Sequence, residues 1–182
     1  MWIKPAITSF LCLLGTSTLA QQSWVVDHSQ STLAFTVSIG GADANGRFED
    51  WTAAISYDPT SPADGAVAVM IDIASVVIDD PRAQAIADAA WLGAEAYPQA
   101  FFASDSFALS NATQLSVPGS LTLKGISLPL TLSGSLTVED CNATAQIRGV
   151  LDRTQYGIGV GQAAVAPKVT VSASLIAQCA PN

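Results

Sequence analysis

The chain has 182 residues, with seven lysines and arginines, fifteen aspartates and glutamates, one histidine and a net charge of −8. So few cations, scattered and never clustered, cannot neutralise a run of phosphates; this excludes a nucleic-acid-binding role and disfavours docking on anionic headgroups. The acidity itself serves solubility.

Residues 1–20 read as a secretory signal peptide. Lys4 precedes an apolar stretch, Ala6 to Gly15, and Thr16-Ser17-Thr18-Leu19-Ala20 offers a small-residue cleavage site before Gln21. The apolar run is about half the length a membrane-spanning helix requires. Cys12 lies inside it and not at its end, which argues against a lipoprotein. The expected product is one exported domain, residues 21–182. Loss of Lys4 leaves it six cations against fifteen acidic residues, a net charge of −9. Two cysteines then remain, Cys141 and Cys179. An even count in an oxidising compartment reads as one disulfide between strand ends, with two buried free thiols as the alternative.

Period-two alternation dominates the remainder. Leu33, Phe35, Val37 and Ile39 alternate with Thr32, Ala34, Thr36 and Ser38. A strand near Gly46–Tyr57 is followed by alternating Val67, Val69, Ile71 and Ile73. Asp79-Asp80-Pro81 then provides an N-cap with proline in the first turn. Ala83, Ile86, Ala87, Ala90 and Ala94 recur at helical spacing, which predicts one short helix ending before Tyr97-Pro98. Strands near Ala100–Ser110 and Gly119–Lys124 come next. Leu128, Leu130, Leu132, Leu136 and Val138 alternate with Pro129, Thr131, Ser133, Ser135 and Thr137. Strands over Ala143–Leu151 and around Val169, Val171, Ala173 and Leu175 complete the set. Each has one apolar and one hydroxyl-rich face. Gly40-Gly41, Asp58-Pro59, Asp64-Gly65, Lys124-Gly125 and Asp140–Asn142 carry turn chemistry between them. Eight short strands with tight links imply an all-β domain, either a closed barrel or a sandwich.

No catalytic or metal-binding constellation stands out. His28 has no ligand partners at zinc spacing. Gly157-x-Gly159-x-Gly161 lacks the strand-to-helix context and lysine of a phosphate loop, and reads as a flexible link. Asp79-Asp80 is better explained by capping than by a carboxylate dyad. The chain is therefore not expected to be an enzyme. What remains is apolar volume: an eight-stranded barrel sits at the size where its interior is either just filled or holds one small ligand.

Trp24-Val-Val-Asp27-His28-Ser29 with Leu33 and Phe35 resembles the opening of the YceI family, bacterial lipocalin-like polyisoprenoid-binding proteins. The similarity runs on through Gly46-Arg-Phe48, Ile55-Ser-Tyr57-Asp58-Pro59, Val69 to Ser75, Trp91-Leu92, Tyr97-Pro98, Phe101 and Gly119-Ser-Leu121-Thr-Leu123-Lys-Gly125. It ends at Arg153 and Tyr156-Gly157-Ile158, so it spans nearly all of the mature chain. Two stretches depart from the family pattern: Gly40 to Asn45, where a strand-like segment usually stands, and Ala87 to Ala90, where charges are thinned out.

The resemblance implies an eight-stranded antiparallel lipocalin-like barrel with the short helix inserted between strands. It further implies a periplasmic lipid-binding or carrier protein, with a polyisoprenoid or isoprenoid quinone in an apolar tunnel and no other cofactor. Strand parity and the family motifs together single out Phe35, Val37, Phe48, Trp51, Val69, Ile71, Trp91, Leu92, Phe101, Leu123, Leu130 and Leu132 as lining residues. Arg153 and Tyr156 are candidates to meet a polar head, unless Arg153 pairs with a carboxylate such as Asp152. The contrasting expectation is a barrel filled by its own side chains that supports a membrane b-type cytochrome. Transient contact with such a cytochrome and a homodimer both stay open at this point.

Overall fold

Among the described residues alternation produces twelve strands, and kinks join six of them into three longer ones. The structure, a computed structural model, describes residues 22–81 and 85–181. The strands are β1 (Ser23–Val26), β2 (Thr32–Ile39), β3 (Ala42–Phe48), β4 (Trp51–Ser56), β5 (Ala66–Asp72) and β6 (Val76–Ile78). They continue with β7 (Gln99–Ser104), β8 (Ala108–Leu109), β9 (Gln114–Leu123), β10 (Ile126–Glu139), β11 (Asn142–Asp152) and β12 (Val165–Cys179).

β1, β4, β5, β7, β9, β10, β11 and β12 follow one another round a ring, and β1 pairs back onto β12 at Trp24↔Cys179. The result is a closed eight-stranded antiparallel barrel, an arrangement that leaves no sheet edge exposed. β2, β3 and β6 continue the directions of β1, β4 and β5 and lengthen the wall at the far end, where β2 pairs with β12, β3 with β2 and β6 with β3.

The kinks have local causes. Between β1 and β2 the Asp27 carboxylate accepts the Ser29 N–H at 2.9 Å and the Gln30 amide at 2.6 Å, offering the backbone bonds that compete with the ladder. Between β5 and β6 the Asp72 carboxylate accepts the Ala74 N–H at 2.8 Å and caps a 3-10 turn, Ile73–Ser75. The hairpin turns Gly40-Gly41 and Lys124-Gly125 both place two consecutive residues at positive φ (61° and 85°, 51° and 74°), the geometry whose twist suits a two-residue hairpin.

Three expectations change. Gly40 to Asn45 does not interrupt the wall: Ala42–Phe48 is a full strand, paired with β2 from Leu33↔Phe48 to Ile39↔Ala42. Its inward positions, Ala44 and Gly46, are small, and they leave room for the Phe35 ring; a β-carbon on Gly46 would lie 2.3 Å from it. The single strand expected near Gly46–Tyr57 is two, β3 and β4, and that near Ala100–Ser110 is β7 plus the short β8. The expected helix does not form as an α-helix in the part described. Residues 82–84 lie outside the described residues, and residues 85–97 form a strap of consecutive turns. Leu92, Gly93 and Ala94 bond to carbonyls of Ile86, Asp88 and Ala87, farther back than the four residues of an α-helix. Among the described residues β6 ends the strand path, paired with β3 alone.

Cys141 and Cys179 are disulfide-bonded, with Cα atoms 4.9 Å apart, and the Cys179 N–H donates to the Cys141 carbonyl at 3.1 Å. The bond ties the start of β11 to the end of β12.

Candidate functional site

Inward-facing residues of the barrel leave two cavities end to end. One, of about 170 Å³, lies toward the disulfide; the other, of about 150 Å³, lies toward the strap. Phe48, Ile71, Leu121 and Val171 stand on the walls of both and form a waist between them. Ser172 is the single aliphatic hydroxyl on the disulfide-end wall, and Arg153 is the single charged residue on either wall among the described residues. A water needs two to four polar partners. These walls provide almost none, so the cavities suit apolar matter.

The sequence-derived residues distribute over both lobes. Trp51, Val69, Leu130 and Leu132 face the disulfide-end lobe. Phe35, Val37, Trp91, Leu92, Leu123 and Arg153 face the strap-end lobe, and Phe48 and Ile71 face both. Two residues stand elsewhere. Phe101 is 44% exposed on the outer face, opposite Met70 of β5, while Phe102 is 5% exposed and faces the cavity. Ala100-Phe-Phe-Ala103 is apolar throughout, so composition gives no parity; the register with β5 decides it. Tyr156 is buried in the core beside the tunnel but off its wall, and burial raises its phenol pKa.

Arg153 has a structural duty that leaves it nothing for a head group. It is 4% exposed, and its Nε–H donates to the Ala166 carbonyl at 3.0 Å. Nη1 donates to the carbonyls of Ile158 and Gly159, each at 2.6 Å. Nη2 donates to those of Gln162 at 3.2 Å and Val165 at 2.7 Å. All five of its N–H groups are thereby used. Nor does it pair with Asp152. That carboxylate accepts the Thr154 Oγ1–H at 2.6 Å and N–H at 3.0 Å and lies 3.6 Å from Lys168 Nζ; its pKa is lowered by the Thr154 hydroxyl first, then the Thr154 amide, then Lys168.

The residues missed include Trp24, Phe102, Phe107, Leu115, Leu121 and Val171. Parity with Leu123 marks Leu121, and parity with Val169 marks Val171. Trp24 carries a polar atom that the fold must satisfy, and its indole N–H donates to the Tyr57 carbonyl at 2.9 Å. His28 is exposed in the kink between β1 and β2, its ring edge-on to Trp51 with centroids 4.5 Å apart. No group of three or more His, Cys, Asp or Glu able to hold a metal ion occurs among the described residues.

Comparison with known proteins agrees with this architecture. A YceI-like domain model matches residues 24–177. A UPF0312 protein of Shewanella baltica is 30% identical over 133 residues, which is 68% of this chain and 70% of the relative. Protein YceI of Escherichia coli O157:H7 is 34% identical over 92 residues, 50% of this chain and 48% of the relative. Among solved structures, Burkholderia cenocepacia BcnA superposes with a TM-score of 0.77 at 26% identity, covering 83% of this chain and 98% of BcnA. A polyisoprenoid-binding domain from Saccharophagus degradans has the same fold, with a TM-score of 0.69 at 16% identity over 86% of this chain and 98% of that one. With the model matched from the first barrel strand to the last, the chain belongs to the YceI-like family.

Proposed function

We propose that this protein binds a long apolar lipid, a polyisoprenoid or the isoprenoid tail of a quinone, inside the barrel, and carries it in the periplasm after removal of residues 1–20. The observation that carries the reading is the pair of apolar lobes in line. Each burial of a methylene out of water contributes about 0.8 kcal/mol, so a chain of many carbons gains from an apolar sleeve what a compact polar ligand cannot. The polyisoprenoid-binding neighbour of the same fold supports the choice of ligand. The lobes count against a barrel filled solely by its own side chains. Among the described residues the walls carry no carboxylate or histidine to activate the Ser172 hydroxyl, and Arg153 is fully engaged, which favours a binder over an enzyme.

The test is lipid retention. Full-length protein expressed with its leader is purified from the soluble periplasmic fraction, extracted and analysed for lipid, beside a Phe35→Asp variant. The variant puts a charge into the strap-end lobe and is expected to lose the lipid while still being exported. Circular dichroism checks that it is folded. Equal lipid content in a folded variant counts against the assignment. N-terminal sequencing starting at Gln21 checks the leader.

A further inference from the structure

The waist is contributed by four strands spread round the barrel: Phe48 at the end of β3, Ile71 in β5, Leu121 in β9 and Val171 in β12. It is held from behind. The Phe48 ring packs on Phe35 with centroids 5.7 Å apart, and Phe35 in turn lies against Gly46, where a β-carbon would come within 2.3 Å of its ring. A rotation of Phe48 that widened the waist must therefore displace Phe35 as well. Each lobe alone is comparable to a dry cavity that takes a molecule the size of benzene. A ligand that uses both lobes must be thin and flexible at the waist.

Among the described residues, the strap-end wall carries one charged side chain, Arg153, and it is already engaged. Trp91 and Leu92 of the strap stand on the same wall, and Arg153 behind Trp91 has no N–H to spare. Lys124, which is not on that wall, donates from Nζ to the carbonyls of Ala89 at 2.9 Å and Gly157 at 3.4 Å. An apolar chain end is suited to this lobe and a hydrated head is not.

We propose that the waist sets a chain-length threshold: the lipid enters the strap-end lobe tail first through Phe48, Ile71, Leu121 and Val171, and only chains long enough to fill both lobes gain the full affinity. This deepens the lipid-binding reading and rests on it.

The experiment uses the mature protein, delipidated and titrated with a short prenol, 3-methylbut-2-en-1-ol, whose five carbons fill no more than one lobe, and a long one, farnesol, whose fifteen carbons reach both, following the quenching of tryptophan fluorescence. Two variants narrow the path at different places: Val171→Phe in the waist and Val37→Phe in the strap-end lobe. Wild type is expected to favour the long prenol by about tenfold or more, since each buried methylene adds to affinity. In both variants the long prenol is expected to lose at least about tenfold more affinity than the short one. An unchanged ratio in variants that unfold at the wild-type temperature overturns the threshold, and so does an equal loss for both prenols. Wild type binding neither prenol overturns the lipid reading itself, a distinct result.

Discussion

The Arg153 guanidinium carbon lies 5.7 Å from the centre of the Trp91 ring. The pair joins the strap to the loop that follows Arg153, and Gly159 completes the joint: its N–H donates to the Ala90 carbonyl at 2.8 Å. Gly159 has φ of +54°, and a β-carbon there would approach Trp91 to 2.4 Å and Arg153 Nη1 to 2.8 Å. This is the duty of the middle glycine in the Gly157-x-Gly159-x-Gly161 run, where the loop must come close to the strap.

Arg153→Met takes a donor from five main-chain carbonyls, of which those of Gly159 and Gln162 keep a main-chain N–H, from Gln162 and Val165. Buried groups left unsatisfied cost about 1–3 kcal/mol each before water re-enters, so the expected loss is about 3 kcal/mol or more. Arg153→Lys recovers little of it, because an ammonium has three donors and no planar fork. Urea unfolding measures both. A loss below about 1 kcal/mol for Arg153→Met would show that the loop carbonyls find other partners.

The outward turn of Phe101 and the inward turn of Phe102 separate two neighbours of the same type. Phe102→Ala is expected to cost about 3–5 kcal/mol and to weaken lipid binding, since it removes a buried ring from the tunnel wall. Phe101→Ser is expected to change stability by no more than about 0.5 kcal/mol and to leave lipid binding as it was. Thermal unfolding and lipid titration of the two variants check the parity; reversed effects would place the wrong ring inside.

These residues also show what sequence can and cannot convey. In β10, Leu128, Leu130 and Leu132 are separated by Pro129 and Thr131, so alternation alone gives face and period; in β7 four apolar residues in a row hide both. The strap misleads differently. Its alanines favour a helix, yet Trp91 and Leu92, adjacent in sequence, both stand on the wall of one lobe. Adjacent residues of an α-helix do not share a face, so tertiary packing overrides local propensity. Arg153 carries no signal at all. A cation satisfied by main-chain carbonyls has no partner side chain for a reader to find, and it invites the search for a carboxylate or a head group that it does not have.

Reducing the Cys141–Cys179 bond is expected to lower stability by about 4 kcal/mol in the chain-entropy model, since its ends are 38 residues apart in sequence. The double serine variant, compared with wild type in denaturant with and without reductant, measures it. Equal stability of the oxidised wild type and the serine variant would mean that the unfolded chain is already constrained.

The pH profile has two shoulders. Asp27, Asp58 and Asp152 have pKa values lowered chiefly by side-chain hydrogen bonds, from Ser29, Thr60 and Thr154 respectively. A lowered folded-state pKa contributes stability above the unfolded value of about 4, and that contribution is lost as pH falls through the folded value. Tyr57 and Tyr156 are raised, in both cases mainly by burial. Their neutral forms are favoured in the fold, so stability is full below the unfolded value of about 10 and declines as pH rises from there through the folded value. The unfolding midpoint followed by circular dichroism is therefore expected to fall on the acid side below about pH 4 and on the alkaline side above about pH 10. These groups alone predict a plateau between, and a midpoint that climbs steadily across it would contradict their dominance.

The most direct measurement is native mass spectrometry of the protein purified from its own host without detergent, followed by extraction of whatever is bound. One isoprenoid lipid per barrel, displaced when the strap-end lobe is filled by Val37→Phe, is the expected result. A barrel that arrives at its bare polypeptide mass, and stays so after incubation with prenols, would contradict a lipid-holding tunnel.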